Sequence, residues 1–397
     1  MKISLRSIAW QVPVITATVA LLATACSSGP SSSSSSPGSS SGGSVSIGVI
    51  STISGASAPV GDAQVNGVQL AVNELNAKGG LLGKKIKVKV LDDNSGDPAT
   101  DISDAQQLVQ ADGVKALFGP IANTGALAVA QQINTLNVPM VGTLGASSDV
   151  IYNTNGSPRQ WVHRVLLSEP VQVAALMKYA NAKGYKHIGM LYTSDAYGIP
   201  AEANAQKAAA QAGIAFTAQG MATTATSALA QALALKAAKP DVIWIWGLAG
   251  SAGVMIQSLS QAGMSSLPVM GANAILGAGF YKLAGAAANG IVSTALKAQF
   301  STAANVTKFN MDYQKQFKVA PLLWAYCGYD AALVYFAAVK AAGTFDPATV
   351  NSQLSKTSFN GVTGHIAFTP SDPEGLSPSS AVLVKIENQA ISPVTSP

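Results

Sequence analysis

Serine, histidine, cysteine and carboxylate side chains are the first places to look for covalent or acid–base chemistry. In this chain their spacing argues against it. Ser251 lies in "AGSAG", where Ala249 replaces the first glycine that a nucleophile elbow needs. His163, His187 and His365 are far apart, and His187 opens a strand-like run, where a structural role is expected. Asp92 and Asp93 are adjacent, so on a strand they point to opposite faces and make a poor acid–base pair. "GGLLGKK" lacks the spacing of a phosphate-binding loop, and no H-E-x-x-H or Cys/His metal spacing occurs. Neither a metal nor a cofactor is therefore expected, and no catalytic residue. What remains is a set of short small-residue and hydroxyl-bearing stretches: "SGASAPVGD" (54–62), "GPIANTG" (119–125), "GTLGASSD" (142–149), "TSDAYG" (193–198), "GLAGSAG" (247–253) and "GANAILG" (271–277). Small residues let backbone N–H groups reach a ligand, and "IANTGALAVA" also opens a helix, whose N-terminus attracts an anion or a carboxylate. One such loop is ordinary turn chemistry. Six of them, on two sets of strands, describe a binding cleft.

The elements that would position these loops are legible. Apolar β-branched runs at 45–51, 85–92, 114–119, 138–143, 187–193, 214–220, 241–247, 267–272 and 290–296 predict strands. Amphipathic runs lie between them; Val65, Val68, Val72 and Leu75 fall on one helical face, closed by Gly79-Gly80. Further helices are expected at 98–110, 125–136, 170–183, 199–212, 227–238, 252–263, 304–318 and 322–342. This alternation predicts an α/β fold of doubly wound parallel sheets. The pattern runs twice, from 45 to about 164 and from about 187 to 291, so two similar lobes are expected, with 304–342 returning to the first. Lys85, Lys87 and Lys89 share one strand face, which suits a solvated edge better than a nucleic-acid patch.

The ends of the chain bound where it works. Lys2 and Arg6 precede a mostly apolar run to Leu22, then Ala23-Thr24-Ala25, as in an export leader. Cys26 follows directly and resembles the lipidated cysteine of a bacterial lipoprotein, although Ala23 stands where Leu is usual. Secretion without a lipid is the alternative. Residues 27–44 are Ser/Gly with Pro30 and Pro37, a flexible leash. The chain is 48% hydrophobic and 11% charged, which suits a packed globular protein, and its net charge of +5 includes the leader. Cys327 is the only other cysteine and is expected as a buried helical thiol.

From about 45 to 397 the chain resembles the type I periplasmic-binding-protein fold in its leucine/isoleucine/valine-binding-protein branch, the extracytoplasmic receptors of ABC importers. The resemblance rests on 47–98, on "LFGPIANTGALAVAQQINTLNVPMVG" (117–142), on "SDAYG" (194–198) and on "CGYDAALV" (327–334). It implies two lobes joined by three crossovers that close on a small molecule, with 45–164 and 292–370 in one lobe and 165–291 and 371–397 in the other, after a leader (1–25) and a lipidated tether (26–44). It implies an anion or carbonyl anchor at Asn123 and Thr124, a carbonyl at Leu144, and a hydroxyl position occupied by Ala146, with Ser147 one place late. The family tyrosine is kept as Tyr197, and Val60 replaces another in the first loop. Asn273 stands where an acidic partner for the ligand ammonium is expected. Leu248 and Trp246 could wall the site; Trp246, at its strand end, is open to this or to core packing, whereas Trp244, Trp324, Tyr326 and Tyr329 are expected to pack.

The expectation that follows is a monomeric, non-enzymatic solute receptor of an ABC importer, tethered to the outer face of a membrane beside its permease. Its ligand is expected to be a small polar molecule bearing a carboxylate or amide and not a free α-amino acid. A tethered sensor for a signalling receptor, a branched-chain amino-acid import receptor and a secreted enzyme on the same fold are the alternatives.

Overall fold

The computed structural model describes residues 42–94 and 96–394. The leader, Cys26 and the tether up to residue 41 lie outside the described residues. The chain runs β1 (Ser44–Ser51), α1 (Ala58–Ala77), β2 (Lys85–Asp92), α2 (Pro98–Gln106), β3 (Leu117–Phe118), α3 (Asn123–Leu136), β4 (Met140–Gly142), α4 (Ser148–Ile151) and β5 (Val162–Arg164). It continues with α5 (Glu169–Ala182), β6 (His187–Thr193), α6 (Gly198–Ala212), β7 (Ala215–Met221), α7 (Leu229–Ala238), β8 (Val242–Trp246), α8 (Ala249–Gln261), β9 (Val269–Gly271), α9 (Ala278–Ala284) and β10 (Val292–Leu296). Last come α10 (Ala304–Phe317), α11 (Leu323–Ala342), α12 (Pro347–Leu354), β11 (Ser358–Asn360), β12 (His365–Ala367), β13 (Ala381–Glu387) and β14 (Ala390–Pro393).

Two large sheets repeat one topology, and β11 and β12 pair separately as a two-stranded antiparallel sheet. The first is ordered β2-β1-β3-β4-β5, all parallel. The second contains β7-β6-β8-β9-β10, the same order, then β13 and β14 antiparallel at the far edge. In each lobe the strand order reverses beside the first strand, which creates a crevice at the carboxyl ends. β10 belongs to the second sheet, so the lobe boundary lies after residue 296 and not at 291. The physical reason is pairing: β10 bonds β9 on one side and β13 on the other.

The apolar pattern explains the layers. β1 sends Ile47 and Val49 into one core and Ile50 into another, on the opposite face of the sheet. α1 and α11 cover the first face, α2 and α3 the second. α2 continues into a π-helical turn, Gln107–Ala111. β2 is an edge strand with Lys85 and Lys87 exposed and Lys89 paired to Asp112, as the solvated-edge reading expects. Cys327 is fully buried in α11, and burial pushes its thiol up. Asp330, also fully buried, accepts from the Val362 and Thr363 N–H groups and from the Thr363 hydroxyl, which ties α11 to the turn between β11 and β12.

α1 and α11 touch backbone to backbone. A Cβ on Gly67 would come within 2.2 Å of the Ala325 carbonyl oxygen, and one on Gly328 within 2.5 Å of the Gln64 carbonyl oxygen. Gly67→Ala is therefore expected to force the helices apart at a cost of about 1–3 kcal/mol. Chemical denaturation of the variant checks this, with an unchanged midpoint as the contrary result.

Three segments carry the chain between the sheets: 165–168, 297–303 and the stretch from β12 to β13. The third is stitched to Arg164, the last residue of β5, immediately before the first. Arg164 N–H donates to Pro373 C=O at 2.9 Å and Gly375 N–H donates to Arg164 C=O at 2.8 Å. The Arg164 side chain is fully buried; its Nε donates to Glu374 Oε2 at 2.9 Å and its Nη2 to Glu374 Oε1. Nη1 reaches the carbonyls of Gly145 at 2.5 Å and Ser147 at 2.7 Å.

Candidate functional site

The strand ends converge on a cleft with two connected chambers. An outer chamber of 460 Å³ is lined from one lobe by Asn94, Asp97 and Thr124, and from the other by Thr193, Asp195, Thr223 and Ser251. A narrow inner chamber of 40 Å³ is lined by Thr52, Val60, Ile121, Ala146, Leu166, Asn273, Ala274 and Trp324. Ser57, Ala122, Asn123, Tyr197 and Leu248 border both. A larger hollow of 700 Å³ lies between the second crossover and the β11–β12 turn, away from these loops.

Local chemistry shapes each wall. After β3 the chain turns at Gly119, whose φ of +98° suits glycine; a Cβ there would meet the Ile50 carbonyl oxygen at 2.0 Å. α3 then starts at Asn123 with no side chain capping it, and Ala122, Asn123 and Thr124 line the outer chamber. Asn123 Oδ1 accepts from Ser147 N–H at 2.7 Å, and the Thr124 hydroxyl donates to Gly96 C=O at 2.6 Å. Each side chain thus spends part of its hydrogen-bonding capacity on the first lobe itself. In "SDAYG", Asp195 Oδ1 accepts from Tyr197 N–H at 3.0 Å, Gly198 N–H at 2.8 Å and the Thr193 hydroxyl at 2.9 Å. The motif's aspartate therefore shapes the turn that presents Tyr197. Burial, followed by Asp195 and Glu169, pushes the Tyr197 phenol well above its ordinary range, so the group is neutral at physiological pH.

Asn273 is the most informative side chain. It is 3% exposed, its N–H donates to Gln172 Oε1 at 3.0 Å, and its Nδ2 has no hydrogen-bond partner among the described residues. Gln172, fully buried on α5, holds the loop by also accepting from Thr294 and donating to Leu167 C=O. A buried donor left alone costs about 1–3 kcal/mol. At the wall of a cavity it is a place for a ligand acceptor.

Of the residues expected at the site, Val60, Asn123, Thr124, Ala146, Tyr197, Leu248 and Asn273 are brought together around the two chambers. Leu144, Ser147 and Trp246 are not among the lining. Leu144 is fully buried in the core of the α2–α3 face. Ser147 is fully buried too; its N–H serves Asn123, and its hydroxyl accepts from Asp149 N–H at 3.3 Å to cap α4. Trp246 is fully buried behind Tyr197, with ring centroids 5.7 Å apart, so core packing takes it. Conversely Trp324, expected to pack, lines the inner chamber from the first turn of α11. Thr52, Ser57, Ile121, Ala122, Leu166 and Ala274 also line it; Ser57, Ile121, Ala122 and Ala274 fall in the small-residue stretches, and Thr52 and Leu166 do not. The signal for most of these was their place just past a strand end; Leu166 sits on the first crossover, which only the assembled lobes bring to the cleft. Among the described residues no group of three or more His, Cys, Asp or Glu could hold a metal ion.

A family model described as periplasmic binding protein matches residues 44–389. The Leu/Ile/Val-binding protein BraC3 of Rhizobium johnstonii is 28% identical over 257 residues, covering 63% of this chain and 67% of its own. A type 1 periplasmic binding protein from Bordetella pertussis superposes with a TM-score of 0.82 at 23% identity, covering 88% of this chain and 100% of its own. The substrate-binding protein LivJ of a branched-chain amino acid transporter from Streptococcus pneumoniae, solved with isoleucine, superposes with a TM-score of 0.76 at 24% identity, covering 89% and 100%. These two structural likenesses show the shared two-lobed α/β fold. No helix among the described residues is long and apolar enough to cross a membrane. The chain belongs to the periplasmic-binding-protein family, in its type I, leucine/isoleucine/valine-binding-like branch, whose members are extracytoplasmic small-molecule receptors that work with ABC transporters.

Proposed function

We propose that this chain is the lipid-tethered receptor of an ABC importer, and that it closes on a small solute that presents a hydrogen-bond acceptor, an amide or carboxylate oxygen, to Asn273. The observation that carries this reading is Asn273, a buried residue lining the inner chamber whose Nδ2 has no hydrogen-bond partner among the described residues. Among the described residues no carboxylate lines that chamber. A free α-amino acid would bring its ammonium there without a charge partner, and leaving a buried ion unpaired costs about 3–5 kcal/mol. The uncapped start of α3 supports an oxygen of partial or full negative charge on the opposite wall. The tether supports a receptor held beside its permease, with Cys26 as the lipid site. A second reading, branched-chain amino-acid import, is favoured by the relatives named for Leu/Ile/Val and by the isoleucine complex of LivJ.

A thermal-shift screen separates them. A specific ligand at about 100 times its dissociation constant adds roughly 2.7 kcal/mol of stability. A shift with amides or carboxylates and none with leucine, isoleucine or valine is expected. A clear shift with leucine would overturn the acceptor reading and return the protein to amino-acid import.

A further inference from the structure

The stretch "GGLLGKK" (79–85), which fits no phosphate loop, closes into a tight turn. Leu81 N–H donates to Lys84 C=O at 2.8 Å, and Lys84 N–H donates to Leu81 C=O at 2.9 Å. Leu81 is buried, but Leu82 at the tip is 44% exposed and has a φ of +48°, a conformation that bulky side chains rarely adopt. Lysines surround it. Lys84 lies over the Phe345 ring at 5.9 Å, and Lys84 and Lys115 line a hollow of 480 Å³ together with Leu82 and Phe345. Lys85 and Lys87 are exposed on the edge strand β2, and Lys78 is exposed at the C-cap of α1. Lys78, Lys84, Lys85, Lys87 and Lys115 make no salt bridge among the described residues. One acid, Asp346, also lines the hollow, and its Oδ1 accepts from Thr349 N–H at 2.9 Å and from the Thr349 hydroxyl at 2.6 Å.

These groups share one end of the first lobe. Lys85 N–H donates to Gly43 C=O at 3.2 Å and Lys115 N–H to Ser46 C=O at 2.9 Å, so both stand where β2 and β3 begin. Asn94, just past β2, and Ala122, just past β3, line the cleft at the opposite end. The described chain also starts here: a Cβ on Gly42 would meet the Gly83 carbonyl oxygen at 2.3 Å. Residues 27–41 separate Gly42 from Cys26, and a Ser/Gly chain of that length spans about 20–24 Å on average. A lipid on Cys26 therefore keeps this end within reach of the membrane surface.

We infer that this end of the first lobe is a membrane-docking face: its lysines meet anionic lipid headgroups, and Leu82 enters the interface among them. An exposed apolar side chain ringed by unpaired lysines fits such a surface, where charge draws the protein in and the apolar group holds it. Docked this way, the receptor stands with its cleft away from the lipid and open to solute. It must be released before the mouth of the cleft can meet a permease. This goes beyond the receptor reading and rests on its tether.

The test is sedimentation of the chain from residue 27 onward, which carries no lipid, with two kinds of vesicle. Vesicles of about 30% phosphatidylglycerol in phosphatidylcholine are compared with phosphatidylcholine alone. Binding to the anionic vesicles is expected to be about tenfold tighter or more in about 0.05 M salt, and to be lost in about 0.5 M salt. Lys84→Gln combined with Lys85→Gln should weaken it about fivefold for each lysine removed. Leu82→Asn suits the left-handed backbone, so it should keep its thermal midpoint and still weaken binding severalfold. Lys178→Gln combined with Lys207→Gln, both exposed on α5 and α6 of the other lobe, should change nothing. Equal binding to both vesicles, no binding at about 5 mM lipid, unchanged binding in both first-lobe variants, or an equal loss in the second-lobe pair overturns the docking face. None of these results touches the tether. A Cys26→Ser chain that stays in the membrane fraction of cells after a wash in about 0.5 M salt overturns the tether instead, and with it the ground for docking.

Discussion

Arg164→Met is expected to destabilise the protein by about 3–5 kcal/mol, the range for removing one partner of a buried ion pair. Methionine fills much of the space, so the loss isolates the polar contacts. Four of them vanish together: two to Glu374 and one each to the carbonyls of Gly145 and Ser147. Glu374 is 17% exposed and can recruit water; the two carbonyls are in a buried loop and cannot easily do so. That loop carries Ala146, a wall of the inner chamber. Ligand affinity should therefore fall with stability, although Arg164 touches neither chamber. Urea denaturation measures the first effect and calorimetry the second. A loss under about 1 kcal/mol, as for an exposed pair, would show that the contacts are not cooperating across the crossover.

Asn273→Leu should move two quantities in opposite directions. Without ligand the variant should be as stable as the parent or more so, because a buried amide with no partner costs about 1–3 kcal/mol and leucine removes it. The backbone N–H bond to Gln172 is unaffected, so the loop keeps its anchor. Ligand affinity should fall tenfold to a hundredfold, about 1.4–2.8 kcal/mol, for any ligand whose oxygen met Nδ2. Parallel thermal melts with and without ligand give both numbers. A variant that is less stable when empty and binds unchanged would mean that Asn273 belongs to the loop and not to the site. Asn273→Asp makes a second discriminating case: it restores a carboxylate at the inner wall, and should weaken amides and carboxylates while improving amines.

Much of this architecture is legible in the residues, because it depends on period. Strand and helix runs recur often enough to predict both sheets, and the loops at the strand ends bring together Asn123, Tyr197, Leu248 and Asn273. The errors have a common physical origin. Leu144 and Ser147 lie two and five residues past β4, in a loop whose direction is set by Arg164 through the carbonyls of Gly145 and Ser147, 19 and 17 residues away. Trp246 ends its strand facing the core because Tyr197, from another strand end, lies over it. Trp324 reaches the cleft because α11 begins at the interface of the lobes, which periodicity within the helix does not reveal. The place of β10 in the second lobe is not legible locally, because its partner β13 lies 85 positions later, from Leu296 to Ala381, and pairing at that distance leaves no local trace.

The stitched crossovers carry a mechanical consequence. Two single strands would let the lobes twist, slide and bend independently. A hydrogen-bonded pair behaves as a ribbon, stiff against shear in its own plane and compliant only to flexing out of it. The Arg164–Glu374 clasp rivets that ribbon to the loop under the inner chamber. Relative motion of the lobes is therefore expected to narrow toward one angular coordinate, with occupancy of the cleft reported outward as a single number, the opening angle.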